Sequence, residues 1–306
     1  MGLYVVYHRP QNIFYKTSLC SKATLFSVVT FVVTAITPLL IVYRSHGLWI
    51  KEAEFREQAD IRFKHQVLML TDTSLGPVVW STNPAFNSLM KNYLRVPLIK
   101  SHEIDKNHDG VLEGLDLTVT LPLLNTELVY GTTLLVTFDY RLHHMCEAVL
   151  EGLGFLQHSS GIPLSAVYFS ADLTLHQRFP LPYSGIHSLY NTSVLPSVYS
   201  SAKDWKLHHI LSNYWKRNLT TRFTNTYTSL QTGESDSFIV SLQVHYPEQS
   251  ILYIPGFWFV IKWAWIQYLS VLVIVLYIIS LLKEWVFQNQ IVSTWVEAPQ
   301  KLFHLR

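Results

Sequence analysis

Residues 23–43 read ATLFSVVTFVVTAITPLLIVY and residues 263–282 read WAWIQYLSVLVIVLYIISLL; neither stretch carries a charged side chain. As a helix rising about 1.5 Å per residue, each can cross a hydrocarbon core of roughly 30 Å. The pair sets the expected class: a membrane protein with two transmembrane α-helices. Two crossings put an amino-terminal tail, 1–22, and a carboxy-terminal tail, 283–306, on one side, and residues 44–262 on the other. The first stretch is not expected to be a cleaved signal, because Arg44-Ser45-His46 is no small-residue cleavage site. The second is not a lipid-anchor signal, because mostly polar residues follow it. Pro38 removes the hydrogen bond to the Thr34 carbonyl, so a kink is expected, with Thr34 or Thr37 available to the freed groups. Trp258, Trp263, Trp265 and Tyr268 crowd one end of the second stretch, and Trp285 and Phe287 mark the other, as aromatic belts do, with Lys262 snorkelling to the headgroups.

Orientation follows from two signals. The amino-terminal tail carries Arg9, Lys16 and Lys22 and no acid, which favours the cytoplasm, but Arg44, Lys51, Arg56, Arg62 and Lys64 follow the span, diluted by Glu52, Glu54, Glu57 and Asp60, so the charge rule barely decides. Asn191-Thr-Ser and Asn218-Leu-Thr are N-glycosylation sequons, both in the middle segment, which is therefore expected in the lumen or outside the cell. The net charge of +2 and the lack of a basic tract argue against nucleic acid. There are two cysteines, Cys20 and Cys146, so no disulfide can form within the middle segment and its core must hold it. Cys20, beside the first span, is a candidate for palmitoylation, although a plain unmodified thiol is the favoured reading there. The start Met1-Gly2 fails the myristoylation pattern because position 6 is Val.

Alternation dominates the middle. Leu115, Leu117, Val119 and Leu121 alternate with Asp116, Thr118 and Thr120. Leu134, Val136, Phe138, Tyr140 and Leu142 do the same, as do Val167 to Leu175 and Phe238 to Tyr246. Period two predicts half-buried strands, and Phe63–Leu70 adds another. Turns are expected at Asp109-Gly110, Gly161-Ile-Pro163, Pro180-Leu-Pro182 and Gly233. The expected fold is a β-rich, antiparallel sandwich-like domain. One helix is predicted: Leu207, Ile210, Leu211, Tyr214 and Trp215 share a face, core or a partner contact, with Ser201 or Asp204 as cap. Met145–Leu156 fits helix and strand alike.

The sharpest local motif is Asp105-Lys-Asn107-His-Asp109-Gly110-Val111-Leu-Glu113-Gly-Leu-Asp116. Asp105, Asn107, Asp109, Val111, Glu113 and Asp116 occupy the ligand positions of a calcium loop, which needs six or more oxygens around a hard cation. Asp116 stands where a longer Glu is usual, and Pro97 and a strand pattern replace the flanking helices. The alternative is an Asp-Gly hairpin turn with solvated acids. The pairs His143-His144 and His208-His209 lack the spacing that lets a helix share a metal. No nucleophile elbow, zinc-protease helix or phosphate loop is present. Arg95-Val-Pro97 and Trp80-Ser-Thr read as structural positions. No catalytic residue and no required cofactor are assigned.

Several stretches resemble the transmembrane protein 231 family: Leu19-Cys-Ser-Lys-Ala23, Tyr43-Arg-Ser-His-Gly-Leu-Trp49, Arg62-Phe-Lys-His-Gln-Val67, Trp80-Ser-Thr-Asn-Pro-Ala-Phe-Asn87, Leu94-Arg-Val-Pro-Leu98, Pro255-Gly-Phe-Trp258 and Phe287-Gln-Asn-Gln-Ile291. The tail after Thr294 resembles it least. The resemblance implies a non-enzymatic component of the ciliary transition-zone membrane, in a Meckel-syndrome-type complex with tectonic, meckelin and B9-domain partners. It implies a role in the gate that controls ciliary membrane protein composition, in cilium assembly and in Hedgehog signalling. An accessory subunit of a transporter or channel is the alternative, disfavoured by spans that carry polar groups such as Thr30, Thr34, Thr37, Gln267 and Ser270 but no acid or base.

Overall fold

The structure, a computed structural model, describes residues 13–48, 50–196 and 203–297. Arg9, Met1-Gly2 with Val6, Trp49, the alternative cap Ser201 and the tail beyond Glu297 lie outside the described residues. The chain divides into two compact units, Glu52–Pro255 and the two stretches that flank it.

The flanking unit holds β1 (Phe14–Lys16) and helix α1 (Lys22–Arg44). Ser21 caps α1, its hydroxyl accepting the Thr24 N–H at 3.2 Å. Ala23, Thr30, Thr34, Pro38 and Val42 are its buried side chains and form one stripe. The rest of α1 turns Leu25, Phe31 and Leu40 outward, as lipid contact requires. The Thr34 hydroxyl does not reach the carbonyl freed by Pro38. It donates to Thr30 O at 2.6 Å, one turn back; Tyr268 Oη donates to the neighbouring carbonyl, Ala35 O, at 3.3 Å.

The central unit opens with β2 (Ala53–Glu57), β3 (Asp60–Thr73), β4 (Gly76–Ser81) and helix α2 (Pro84–Leu89). After these come β5 (Leu98–Ile104), β6 (Gly114–Pro122), β7 (Val129–Leu142) and the long β8 (Glu147–Gln177). Next are the short β9 (Leu181–Pro182) and β10 (Ile186–His187), then helix α3 (Leu207–Trp215). The unit closes with β11 (Leu219–Thr232), β12 (Ser237–His245) and β13 (Gln249–Ile254). The chain then re-enters the flanking unit as helix α4 (Phe257–Gln288) and ends in β14 (Trp295–Glu297). Helix α4 starts before Trp263 and runs past Leu282, so its apolar core is extended by both aromatic belts.

The central unit is β-rich with helices added, and β8 organises it. Its first half pairs with β7, from Ala148 opposite Leu142 to Ser159 opposite Gly131. Its second half lies between β11 and β12. One layer is thus β4-β3-β7-β8, and the other is β11-β8-β12-β6-β5. Gly161-Ile-Pro163, expected as a turn between strands, is where the single strand β8 leaves one layer for the other. Not all pairs are antiparallel: β12 runs parallel to β8, from Ile239 opposite Ala166 to His245 opposite Asp172. Met145–Leu156 resolves as strand from Glu147 onward.

The layers meet through rings and gaps. Gly152 and Gly154 on β8 leave room for β11: a Cβ on Gly154 would run into the Phe223 ring, and one on Gly152 would lie 2.7 Å from the Thr221 hydroxyl. Phe138 sits between, with Phe223 and Tyr246 both at 6.2 Å. A second apolar cluster covers the other face of β7: Leu135, Leu153, Phe86, Trp205, Ile210 and Tyr214. Strand β7 is therefore buried on both faces from Gly131 to Phe138, not half-buried. Helix α3 supplies Ile210 and Tyr214 to that cluster, while Trp215 is exposed at its end. Lys206 stands at the N-cap without a side-chain bond, in place of the expected Asp204.

Candidate functional site

The acidic motif joins two antiparallel strands, β5 and β6, and its acids are turned inward on their own backbone. Asp105 accepts the N–H of His108 at 2.7 Å and of Gly110 at 3.2 Å. Asp109 accepts Val111 N–H at 2.7 Å and the Asn107 amide at 2.8 Å. Asn107 accepts Asp109 N–H at 3.1 Å, and Glu113 accepts Lys106 N–H at 3.2 Å. Gly110 sits at φ +86°, which only glycine adopts without strain. Asp116 lies in β6 opposite His102 and Gln243 and joins none of these bonds among the described residues. These bonds build the Asp-Gly turn with or without a cation, since each carboxylate oxygen keeps a lone pair beside the N–H it accepts. Asp105→Ala is expected to cost about 1 kcal/mol with or without calcium, since it strips two N–H groups of their acceptor. Thermal unfolding of the detergent-solubilised chain, titrated with millimolar calcium, checks this. A calcium-dependent rise in Tm in the unmodified chain alone would support the cation.

The sequons lie in different settings. Asn191 is exposed in a loop, its backbone N–H bonded to Ser188 O at 3.0 Å. Asn218 is half-buried at the start of β11, and its Oδ1 accepts Phe179 N–H at 3.0 Å, with the sequon's Thr220 buried. Cys20 is exposed in the turn before α1. The two histidine pairs are not gathered: His143 and His144 offer backbone N–H groups to Glu57 at 2.7 and 3.1 Å, while His209 lies 3.6 Å from Asp204. Among the described residues no group of three or more His, Cys, Asp or Glu side chains could hold a metal.

Sequence reading missed the groups that hold the unit together. Glu151, buried on β8, pairs with Lys64 and accepts Val194 N–H at 2.7 Å. Lys64 reaches it from a β3 bulge where His65 takes φ +55°. Arg217 adds donors to Tyr190 O at 3.2 Å and Thr192 O at 3.1 Å, so the segment carrying Asn191 is tied to β8 and α3. Glu127, also buried, pairs with Arg95 and accepts Leu124 N–H at 3.0 Å and the Thr73 hydroxyl at 2.9 Å. Burial raises its carboxyl pKa, but these donors outweigh burial and hold it below the ordinary value. The signal was a lone acid in an apolar run, as at Leu150-Glu151-Gly152. Burial, and then the Glu57 charge, push the Cys146 thiol up, away from the thiolate a nucleophile needs.

These groups order loops; none of them forms a nucleophile–base pair. Comparison with known proteins extends over almost the whole chain. A family profile described as Transmembrane protein 231 matches residues 1–296. A Bos taurus protein of that name is 42% identical over 299 residues, covering 96% of this chain and 95% of the relative. A Homo sapiens protein of the same name is 42% identical with the same coverage, and a Xenopus tropicalis one is 40% identical over 298 residues, covering 96% of each.

Proposed function

We propose a function from one premise: this chain belongs to the transmembrane protein 231 family. It is a membrane protein with two candidate spans. The proposed role is that of a non-enzymatic structural component of the ciliary transition-zone membrane, within the barrier that sets ciliary membrane protein composition and supports cilium assembly and Hedgehog signalling. The observation that carries this is the family match along both spans and the whole domain between them. Its proposed partners are tectonic, meckelin, B9-domain proteins and related membrane components. No cofactor enters this reading.

The mechanism is positional. The spans fix the chain in the bilayer, and the domain offers an edge to a neighbour's ectodomain. Among the described residues strand β11 pairs with β8 alone, and residues 225–232 are exposed. From Phe223 to Thr232 it carries no charge and no proline, the devices that usually blunt an edge. A neutral extended strand from a partner ectodomain fits it by main-chain pairing. A fluorescent fusion is expected as a ring at the cilium base. Thr228→Lys with Leu230→Lys, on exposed positions, is expected to leave folding intact yet remove the ring and let excluded membrane proteins leak into the cilium. Diffuse plasma-membrane staining of the unmodified protein would sink the gate reading.

In the proposed orientation both termini are cytoplasmic and residues 44–262 are lumenal or extracellular. Asn191 and Asn218 are then glycosylated. Glycosidase is expected to lower and sharpen the gel band, and Asn191→Gln with Asn218→Gln to reproduce that shift. A band indifferent to both would reverse the orientation.

A further inference from the structure

Residues 14–16 and 295–297, outside the two spans, are joined. Strand β1 pairs antiparallel with β14, Phe14 opposite Glu297, Tyr15 opposite Val296 and Lys16 opposite Trp295. The ribbon is pinned to the helix ends by rings. Tyr15 stacks on Phe287, in the last turn of α4, at 5.7 Å, and Phe287 meets Phe26 of α1 edge-on at 5.9 Å. Phe26 lies inside the charge-free stretch that starts at Ala23. The ribbon therefore sits two ring contacts from the apolar span.

A two-stranded ribbon of three residues a side is not stable in water on its own. This one also leaves its apolar groups uncovered: Phe14 is 57% exposed, Trp295 84% and Leu19, in the link to α1, 91%. Register puts Tyr15 and Val296 on the face toward Phe287, and Phe14, Trp295 and the Lys16–Glu297 ion pair on the other. That outer face combines aromatic rings with an internally neutralised pair. Among the described residues its outer backbone edges are unpaired, which hydrocarbon does not tolerate and hydrated headgroups do.

We infer that the β1–β14 ribbon is a membrane-surface clip, seated at the headgroup level with Phe14 and Trp295 as its anchors. Continuity with the spans selects lipid as the occupant, and the neutral face selects a zwitterionic surface over an anionic one. Trp and Phe are the side chains that partition to this layer. The clip gives the chain a defined element within the expected amino-terminal and carboxy-terminal tails, and it does not depend on the ciliary reading.

The test uses the full chain with Cys20→Ser in phosphatidylcholine nanodiscs, the buried Cys146 left in place. A nitroxide is attached at Trp295→Cys, and a reference label at Asn107→Cys in the exposed hairpin. The label at 295 is expected to collide severalfold more with oxygen, relative to a water-soluble nickel complex, than the label at 107. Equal ratios would put the face in water and overturn the proposal. Shielding from both reagents would mean that protein covers it, and would overturn it too. Separately, Phe14→Cys with Glu297→Cys, opposite in register, is expected to cross-link within one chain under mild oxidation. Absence of that cross-link would remove the ribbon itself.

Discussion

Phe138→Ala is expected to lower the stability of the chain by about 3–5 kcal/mol, the usual cost of emptying a large buried aromatic site. The ring is fully buried and central to the sandwich, with Phe63 at 6.3 Å and Phe223 and Tyr246 at 6.2 Å. Its neighbours cannot collapse into the hole. Gly152, its partner in register on β8, offers no side chain, and the Phe223 ring already fills the space left by Gly154. A domain of typical stability holds about 5–15 kcal/mol, and this one has no internal disulfide to offset the loss. Thermal unfolding of the solubilised chain, followed by near-ultraviolet circular dichroism, is expected to shift far down or to lose its cooperative transition. In cells the variant is expected to remain in the secretory pathway. Trp215→Ala is the control: that ring is 39% exposed, so its shift should be a small part of the other. Equal shifts for both would mean that the layers do not meet at Phe138.

Arg95→Met is expected to cost on the order of 3 kcal/mol, because it leaves a buried carboxylate without its cation. Glu127 keeps only Leu124 N–H and the Thr73 hydroxyl, and Pro122 O loses the Arg95 donor at 3.2 Å. The segment after α2 then comes loose from the β6–β7 connection. The pH dependence has a definite sign. The folded carboxyl lies below its ordinary value of 4.5, so its stabilisation is complete above about that pH and is lost as pH falls through the lower folded value. In the variant the cation is gone and burial remains, so the pKa rises and protonation relieves the site. The gap between the unmodified chain and Arg95→Met should therefore close as pH falls below about 4.5. Glu127→Gln in the Arg95→Met background should recover part of the loss at neutral pH. A gap that is constant with pH would refute the pairing.

The spans, the period-two strands and the hairpin at Asp109-Gly110 were legible in the residues themselves. An uncharged run of span length and a left-handed glycine in a short polar loop are local properties, and no distant partner changes them. The tertiary structure decided the rest. Leu135 and Thr137 read as an exposed face, yet a cluster built from α2, α3 and the Leu195 segment covers them. Gly161 and Pro163 read as a break, yet β8 passes through them because it finds β7 on one side of the bend and β11 and β12 on the other. Tyr214 and Trp215 read as one face, core or a partner contact, yet of the two it is Tyr214 that is buried, where its hydroxyl accepts Leu153 N–H at 3.1 Å and Thr221 N–H at 2.6 Å. Glu127 and Glu151 read as ordinary acids, and the pairing of β1 with β14 gave no sign at all. Each of these depends on groups far away along the chain, and burial of a charge or of a second strand face is a property of what packs there, not of the residue.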